Sequence, residues 1–484
     1  MKHRLLQIPL LRSATLLTLV NIVNTGLAML SGLYVARQLD TQQYGHYAYM
    51  ANVFLLMILF LGFGLSSQIS KDAAEHDGQH LARFQERLGS LIALRLGTAL
   101  LAAVCGGLLW SVSRESVYLY AGGSAALFVW VDFVTALFSG LQRIRRVAIL
   151  MIVQPLSFIL LLLAIPIRQE ATVYTIFLSS QIVSAAMACA LVIKLPKLQP
   201  WPRFAQIRHL RWSDMVAGQV YIIVLLQTAY SAYGVTVLGA LKQYDAAGEL
   251  SIALTVVRML PLLFGSLITV LYYPRLCAIH TQGEHQRFQR AAYVVYHSST
   301  VIAAGCAALL VIYPDVVINV LYTSRHAAAT PVLGIIALMS LFSIVDQILT
   351  WTLVASDRAS AALPPLLVRL GLVLLTLPLA ALVDRALLPQ IVALAYIGSS
   401  FVGWIVQLRA SSVIGVVRAI GFTTVVVGLG CVIGLAVRFV IPWPALPYGD
   451  ESSLVVAALC YGMLGVYGLW KRWHAAHGLL GEEA

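Results

Sequence analysis

Fourteen apolar stretches divide this sequence, at approximately 13–36, 44–70, 88–111, 117–140, 147–167, 171–194, 214–239, 245–272, 291–313, 328–355, 359–383, 389–408, 419–438 and 451–470. Each is long enough to cross ~30 Å of hydrocarbon as a helix. Inside a bilayer no water is at hand for backbone N–H and C=O groups, so a spanning segment must satisfy them within itself. Composition agrees. Hydrophobic residues are 60% of the chain and charged residues 11%, against about 25% charged in soluble domains. So few charges cannot cover a water-facing surface of this size. A secreted enzyme, a nucleic-acid-binding domain and a disordered chain are excluded. The predicted fold class is an all-α polytopic membrane protein of about 14 transmembrane helices.

The net charge of +12 reflects an uneven distribution of cations. With the N-terminus in the cytoplasm, 22 of the 32 Lys and Arg residues fall in cytoplasmic segments, 7 in outer ones and 3 within spans. This positive-inside bias predicts that both termini are cytoplasmic. Lys2, Arg4 and Arg12 precede a first stretch that resembles a signal-peptide core, but its length and the polar Asn21 and Asn24 within it predict a retained helix. A bacterial inner membrane is the expected location.

The connecting segments are short, the longest being 71–87, 195–213 and 273–290. None can house a nucleotide-binding or catalytic domain. The sequence has no GxxxxGK[ST], HExxH or GxSxG motif and no zinc-ligand spacing, so no cofactor or metal is expected. Glu75, His76 and Asp77 superficially match an acidic metal-binding motif and are read as a solvated cytoplasmic loop. The six cysteines are scattered without a CxxC pair and read as small apolar residues.

The chain weakly repeats itself. ARQLDTQQYG (36–45) has an echo in GALKQYDAAG (239–248), 203 positions later. FVWVDFVTAL around Asp132 has one in FSIVDQILTW around Asp346, 214 positions later. The predicted organisation is a six-helix bundle at 1–212, a second at 213–412, and two additional helices at 413–484. Duplicated bundles are a common plan of secondary transporters, with the substrate site between the halves.

Ionisable groups at mid-membrane cost about 2.5–3.5 kcal/mol on insertion scales and mark functional positions. Five occur here: Arg95, Asp132, Arg258, Asp346 and Arg369. Arg95, two turns into its span, is placed to snorkel. Arg258 lies near the middle of the eighth stretch, one turn before Pro261, which weakens the local hydrogen-bond ladder. A cation there suits an anion. Arg369 lies within reach of an intra-bundle pair with Asp346. Asp132 and Asp346 read either as cation or proton sites or as structural partners. Lys242 and Glu249 fall at the outer mouth of the seventh and eighth stretches, where Lys242 would attract an anionic headgroup. Asn21, Asn24, Asn52 and Gln227 are uncharged polar residues suited equally to sugar hydroxyls and to neighbouring helices.

Several local patterns then resemble one family. YVARQLDTQQYGHYAYMANVFLLMILFLGFGLSSQISK (34–71), SGLQRIRRVAI (139–149), AGELSIALTVVRMLP (247–261) and YYPRL (272–276) are similar to segments of the polysaccharide flippases. These are the Wzx-type oligosaccharide transporters of the MOP (multidrug/oligosaccharidyl-lipid/polysaccharide) exporter superfamily. The resemblance implies two six-helix bundles around a central cavity that opens alternately to either side. It also implies a cargo of undecaprenyl-pyrophosphate-linked oligosaccharide units, carried from the cytoplasmic to the periplasmic leaflet for O-antigen, capsule or exopolysaccharide synthesis.

In the lipid II flippases of the same superfamily, arginines of the first, second and eighth helices line the cavity. Only the eighth-helix position has a counterpart here, Arg258. Asn21, Asn24 and Asn52 stand on the first two helices, which favours an oligosaccharide cargo over the peptidoglycan precursor. The expected substrate-binding residues are Arg258, Lys242, Asn21, Asn24, Asn52 and Gln227, and the expected coupling residues are Asp132, Asp346 and Glu249. Expected partners are lipid-linked oligosaccharide, membrane lipids and other polysaccharide-assembly membrane proteins, with no nucleic acid. A MATE-like drug/cation antiporter is the alternative, disfavoured by the central arginine. A polysaccharide polymerase or ligase is less favoured, since the outer loops are too short to carry catalytic groups.

Overall fold

The structure is a computed structural model that describes residues 2–62, 65–66, 69–70, 73, 81–193, 218–267, 272–376, 387–413, 415–440 and 453–458. The chain runs through α1 (Lys2–Gln38), α2 (Thr41–Gly62), α3 (Leu81–Ser113), α4 (Ser116–Gly140), α5 (Ile144–Ala164), α6 (Glu170–Ile193), α7 (Gly218–Ala240) and α8 (Tyr244–Leu267). It continues through α9 (Tyr273–Thr281), α10 (His285–Ile312), α11 (Pro314–Tyr322), α12 (Ala329–Ile336), α13 (Leu338–Ala355), α14 (Leu363–Leu374), α15 (Leu388–Ser411) and α16 (Val416–Val440). Among the described residues there is no strand.

Eleven helices of the described chain are long and apolar enough to cross a membrane. They correspond to all the apolar stretches except the eighth, eleventh and fourteenth. The eighth and eleventh are described only in part, and most of 451–470, like the segment 195–213 and residues 75–77, lies outside the described residues. The protein is an all-α, multi-pass membrane protein. Two details differ from the pattern read in the sequence. Residues 314–322, assigned to an outer connection, form α11, started by Pro314 in its first turn. Nine residues rise only ~14 Å, too little to cross. The eleventh stretch opens with a 3-10 turn at Ala359–Ala362, and Pro364 and Pro365 then occupy the first turn of α14, where their missing N–H groups leave no carbonyl without a partner.

The chain divides into two compact units, Met1–Gly248 and Glu249–Ala484. The first holds α1–α7 and the first turn of α8. Its central helix is α4, which packs against α2, α3, α5 and α6. Phe133, Val134, Leu137 and Phe138 of α4 are buried with Leu91, Ile92, Val147, Leu150 and Ala188. Gly106 of α3 and Gly122 of α4 face each other, and a Cβ on either would come 2.8 Å from the other's Cα. Small residues permit this close approach, which lets dispersion act between helices where lipid offers no hydrophobic driving force. Helix α7, from the seventh apolar stretch, packs on α2 within this unit.

The second unit is organised around α13, which packs on α9, α10 and α15. Ile344, Val345, Ile348 and Leu349 of α13 are buried with Tyr296, Ala303, Ala307 and Trp404. Asp132 lies on the central helix of the first unit and Asp346 on that of the second.

Candidate functional site

Asp132 is the acceptor of a small polar cluster in the first unit. The Ser66 hydroxyl donates to its Oδ2. Arg95 Nη2 approaches the same oxygen at 3.2 Å and the Ser66 Oγ at 2.5 Å. The Arg95 side chain is 1% exposed and that of Asp132 36%. Arg95 therefore does not snorkel, as its position in the span suggested. It is held inward by a partner on α4 that sequence spacing did not reveal. Its Nε and Nη1 are buried without a hydrogen-bond partner.

Asp346 is held differently. Arg369 grips it with two parallel bonds, Nη1 to Oδ2 at 2.6 Å and Nη2 to Oδ1 at 2.7 Å. Both side chains are buried. Gln407 Nε2 donates to the Asp346 carbonyl at 3.2 Å and to Thr350 Oγ1 at 2.6 Å. The structure brings Asp346 and Arg369 together, as the sequence spacing suggested. The fork-on-carboxylate geometry is the strong form of such a pair.

A second cluster of the first unit sits at the start of α8. Lys242 closes α7 in the left-handed region, at φ 58°. Its N–H bonds to the Gly239 carbonyl and that of Gln243 to the Leu238 carbonyl, both at 2.9 Å. These two bonds form a Schellman turn, whose left-handed position glycine usually fills. Lys242 Nζ lies 3.4 Å from Glu115 Oε1, and the Tyr244 hydroxyl donates to Glu115 Oε2 at 2.9 Å. His46 stacks on the Tyr244 ring at 3.5 Å between centroids. The Tyr49 and Tyr118 hydroxyls are 2.7 Å apart. Glu115, which joins Lys242 to Tyr244, was not singled out from the sequence. It lies beside Arg114 between two spans, and nothing in the local sequence marks its distant partners.

The remaining expected residues are dispersed. Asn21 and Asn24 are half-buried on α1, three positions apart and so on one face. Asn52 is half-buried on α2 and donates Nδ2 to the Ala48 carbonyl at 2.8 Å. Gln227 is exposed on α7. Arg258 and Glu249 are half-buried on α8 in the second unit, and both are engaged in polar or electrostatic contacts. Pro261, one turn after Arg258, is buried within the helix. Among the described residues, no group of three or more His, Cys, Asp or Glu side chains gathers as a metal site.

One comparison decides the family. Residues 10–280, more than half of the chain, match the model of the polysaccharide biosynthesis protein family. The chain belongs to the polysaccharide biosynthesis protein family. No curated protein matches this family member. Its fold is that of solved transporters. A lipid II flippase, MurJ, in an inward closed conformation is similar at a TM-score of 0.67 and 11% identity, covering 93% of this chain and 98% of that one. An inward-facing multidrug resistance MATE family transporter of the MOP superfamily is similar at a TM-score of 0.60 and 13% identity, covering 82% of this chain and 98% of that one. This polysaccharide biosynthesis protein therefore has the MOP-superfamily transporter fold. The matched region includes α8 up to and beyond Arg258, together with the Asp132 and Lys242 clusters.

Proposed function

We propose that the protein is a flippase that carries polyprenyl-pyrophosphate-linked oligosaccharide units from the cytoplasmic to the outer leaflet of a bacterial inner membrane. It works by alternating access and is not an enzyme. The observation that carries the reading is the family match across residues 10–280 on a transporter fold. Arg258 supplies the chemistry. A guanidinium at mid-helix, one turn before Pro261, offers charge-assisted hydrogen bonds to a pyrophosphate. Asn21, Asn24, Asn52 and Gln227 would meet sugar hydroxyls, and Lys242 would draw the anionic group at the outer side. The polyprenyl tail stays in lipid. The sequence halves 1–212 and 213–412 are the repeated bundles of the transport cycle, with 413–484 as an addition. Both termini are cytoplasmic, and the partners are lipid-linked oligosaccharide, membrane lipids and other assembly proteins of the pathway.

The experiment compares polyprenyl-linked intermediates in cells carrying wild type, Arg258→Ala or Arg258→Lys at equal membrane abundance. Accumulation in the cytoplasmic leaflet, with loss of surface polysaccharide for Arg258→Ala, supports the reading. Unchanged intermediates and polysaccharide after Arg258→Ala remove Arg258 from the site. If deletion of the whole protein also changes neither, the cargo is wrong and cation export takes its place.

A further inference from the structure

Successive spans alternate in direction, so the α1–α2, α3–α4 and α5–α6 connections share one side of the membrane. The α7–α8 turn meets them there, through Lys242, Tyr244 and Glu115. On the topology proposed above, that side is the outer one. Each connection places one carboxylate at the start of the next helix. Asp40 and Glu115 immediately precede α2 and α4, Glu170 begins α6, and Asp245 is the second residue of α8. All four lie within electrostatic reach of one side chain, His46 of α2. Acids at helix starts complement the exposed N–H groups and the dipole, and Asp40 does so, accepting from the Gln43 N–H at 2.8 Å. Capping explains their positions along each helix and does not explain their gathering around His46.

Tyrosines fill the space between these acids. An aromatic belt holds its rings at the lipid–water boundary, whereas Tyr49, Tyr174 and Tyr244 are buried and turn toward their neighbours. Tyr120 and Tyr174 are 5.5 Å apart between ring centroids, Tyr118 meets Tyr49 edge-on at 6.1 Å, and His46 stacks on Tyr244. Most of the hydroxyls are occupied. Those of Tyr49 and Tyr118 meet each other, that of Tyr244 donates to Glu115, and that of Tyr120 lies 3.3 Å from Thr175 Oγ1. The Tyr174 hydroxyl is the exception. The residue is 2% exposed and its oxygen has no hydrogen-bond partner, although Glu170, Tyr244 and Glu115 lie within its electrostatic reach. A buried polar atom left unpaired calls for a partner from outside the fold. The cluster is open at its edge, where His46, Glu115, Tyr118, Tyr120 and Glu170 are only half-buried.

We propose that the tyrosines and carboxylates around Tyr174 form an outer-side subsite for one sugar ring, neutral or amino and not acidic. The proposal rests on the flippase reading above and names the class of sugar its cargo carries. A pyranose offers apolar C–H faces and a rim of hydroxyls. Tyrosine presents the matching combination, an apolar ring with a polar tip. The Tyr174 hydroxyl can donate to or accept from a sugar hydroxyl, and the Glu170 carboxylate accepts from one. Charge sets the selectivity. The ionisable groups acting on His46 are all carboxylates. Lys242 is paired with Glu115, and the other cations of these connections, Arg37, Arg114 and Arg168, are exposed, where water and salt screen them. A uronate entering this field meets like charge, whereas a hydroxyl is accepted and a protonated amine is attracted.

The test is saturation-transfer NMR titration of the full-length protein in nanodiscs of uncharged lipid. The probes share one ring and differ in charge: methyl glucoside, glucosamine and glucuronate, with tetraethylammonium as a cation without hydroxyls. Wild type should bind methyl glucoside and glucosamine, and glucuronate more weakly by ~tenfold or more. Tyr174→Phe should weaken binding of both favoured sugars by about 2–10-fold, the worth of one hydrogen bond, while its unfolding midpoint stays at or above that of wild type. A hydroxyl with a purely structural role would lower the midpoint and leave binding unchanged, and that result overturns the proposal. Glu170→Gln should narrow the gap between glucuronate and methyl glucoside, and this ratio decides the matter if Tyr174→Phe does not fold. Glucuronate bound by wild type as tightly as methyl glucoside overturns the proposal, as does binding of none of the three sugars. Binding of glucosamine and tetraethylammonium without methyl glucoside overturns it in favour of an organic cation. The flippase reading is decided separately, by the fate of polyprenyl-linked intermediates when the whole protein is deleted, so each of these failures is distinguishable from its own.

Discussion

Gly45 and Gly248 face each other across the first turns of α2 and α8, and the relation is reciprocal. A Cβ on Gly45 would strike the Tyr244 carbonyl and come 3.0 Å from the Gly248 nitrogen. One on Gly248 would strike the Thr41 carbonyl and come 3.2 Å from the Gly45 nitrogen. Residues 41 and 45 are separated from 244 and 248 by the same 203 positions as the sequence echo. Two copies of one motif touching through the same residues make an isologous contact, the mark of a local two-fold axis. The weak repeat in the sequence thus becomes a physical contact. Both glycines are needed because backbone meets backbone.

This pair gives the first prediction. Alanine at Gly45 or Gly248 meets carbonyls that cannot swing aside, and overpacking of this kind costs about 1–3 kcal/mol. Alanine at Gly62, where a Cβ would meet nothing within 4 Å, is the matched control. Thermal unfolding in detergent should rank both variants below Gly62→Ala. The double variant should lose less than the sum, since one contact is broken twice. Equal midpoints for Gly45→Ala and Gly62→Ala would refute the close approach.

Asp346 and Arg369 give the second. Asp346→Asn or Arg369→Gln leaves a buried charge without its partner, at a cost of about 3–5 kcal/mol. The double replacement Asp346→Leu with Arg369→Met should be less damaging than either single change. Gly403 lies against the Arg369 side chain, where a Cβ would strike Nε, so Gly403→Ala should displace the arginine and lower stability. The check is the unfolding midpoint of each variant against that of the double replacement. Singles no worse than the double would mean the pair does not hold the second unit together.

Lys242 separates a structural from a functional role. Its left-handed φ of 58° is one that glycine adopts without strain, so Lys242→Gly should hold stability constant or raise it by up to about 1 kcal/mol. The Glu115 pair it loses is largely exposed on the lysine side, at 69%, and contributes little. If Lys242 draws the cargo's anionic group, transport should fall while the fold is retained. Full transport by Lys242→Gly would strike the residue from the substrate path.

Arg438 gives the fourth. Its Nη1 donates to the Ile312 carbonyl at the end of α10. Its Nη2 lies 2.8 Å from Asp315 Oδ2, and its guanidinium lies 5.2 Å over the Tyr313 ring. Lysine can supply the charge but not the fork and the stacked plane together. Arg438→Lys should therefore lower the unfolding midpoint nearly as far as Arg438→Ala. A lysine variant with wild-type stability would show that charge alone suffices.

Much of the architecture was legible in the chain because its causes are local. Apolar length marks a span, and the repeat at 36–45 and 239–248 marked the α1–α2 and α7–α8 turns. Asp346 with Arg369 was legible because the two residues lie on successive apolar stretches. Arg95 misled because position along a span gives depth, whereas burial depends on which neighbour the helix face meets. Helix α11 was hidden because nine residues carry too little apolar length to stand out from a connection.

The sequence by itself determined that the chain must live in lipid and where its long apolar stretches fall. Those properties follow from transfer free energy and charge, which act residue by residue. Only the tertiary structure decided which groups meet. It placed Arg95 and Ser66 on Asp132, Tyr244 and Lys242 on Glu115, and Gly45 on Gly248. In each case the partners come from different helices, and only side-chain packing fixes the rotation and depth of one helix against another. A lone mid-membrane charge announces that a partner or ligand must exist. Which partner it has, and how many of its donors remain unused, is a property of the fold.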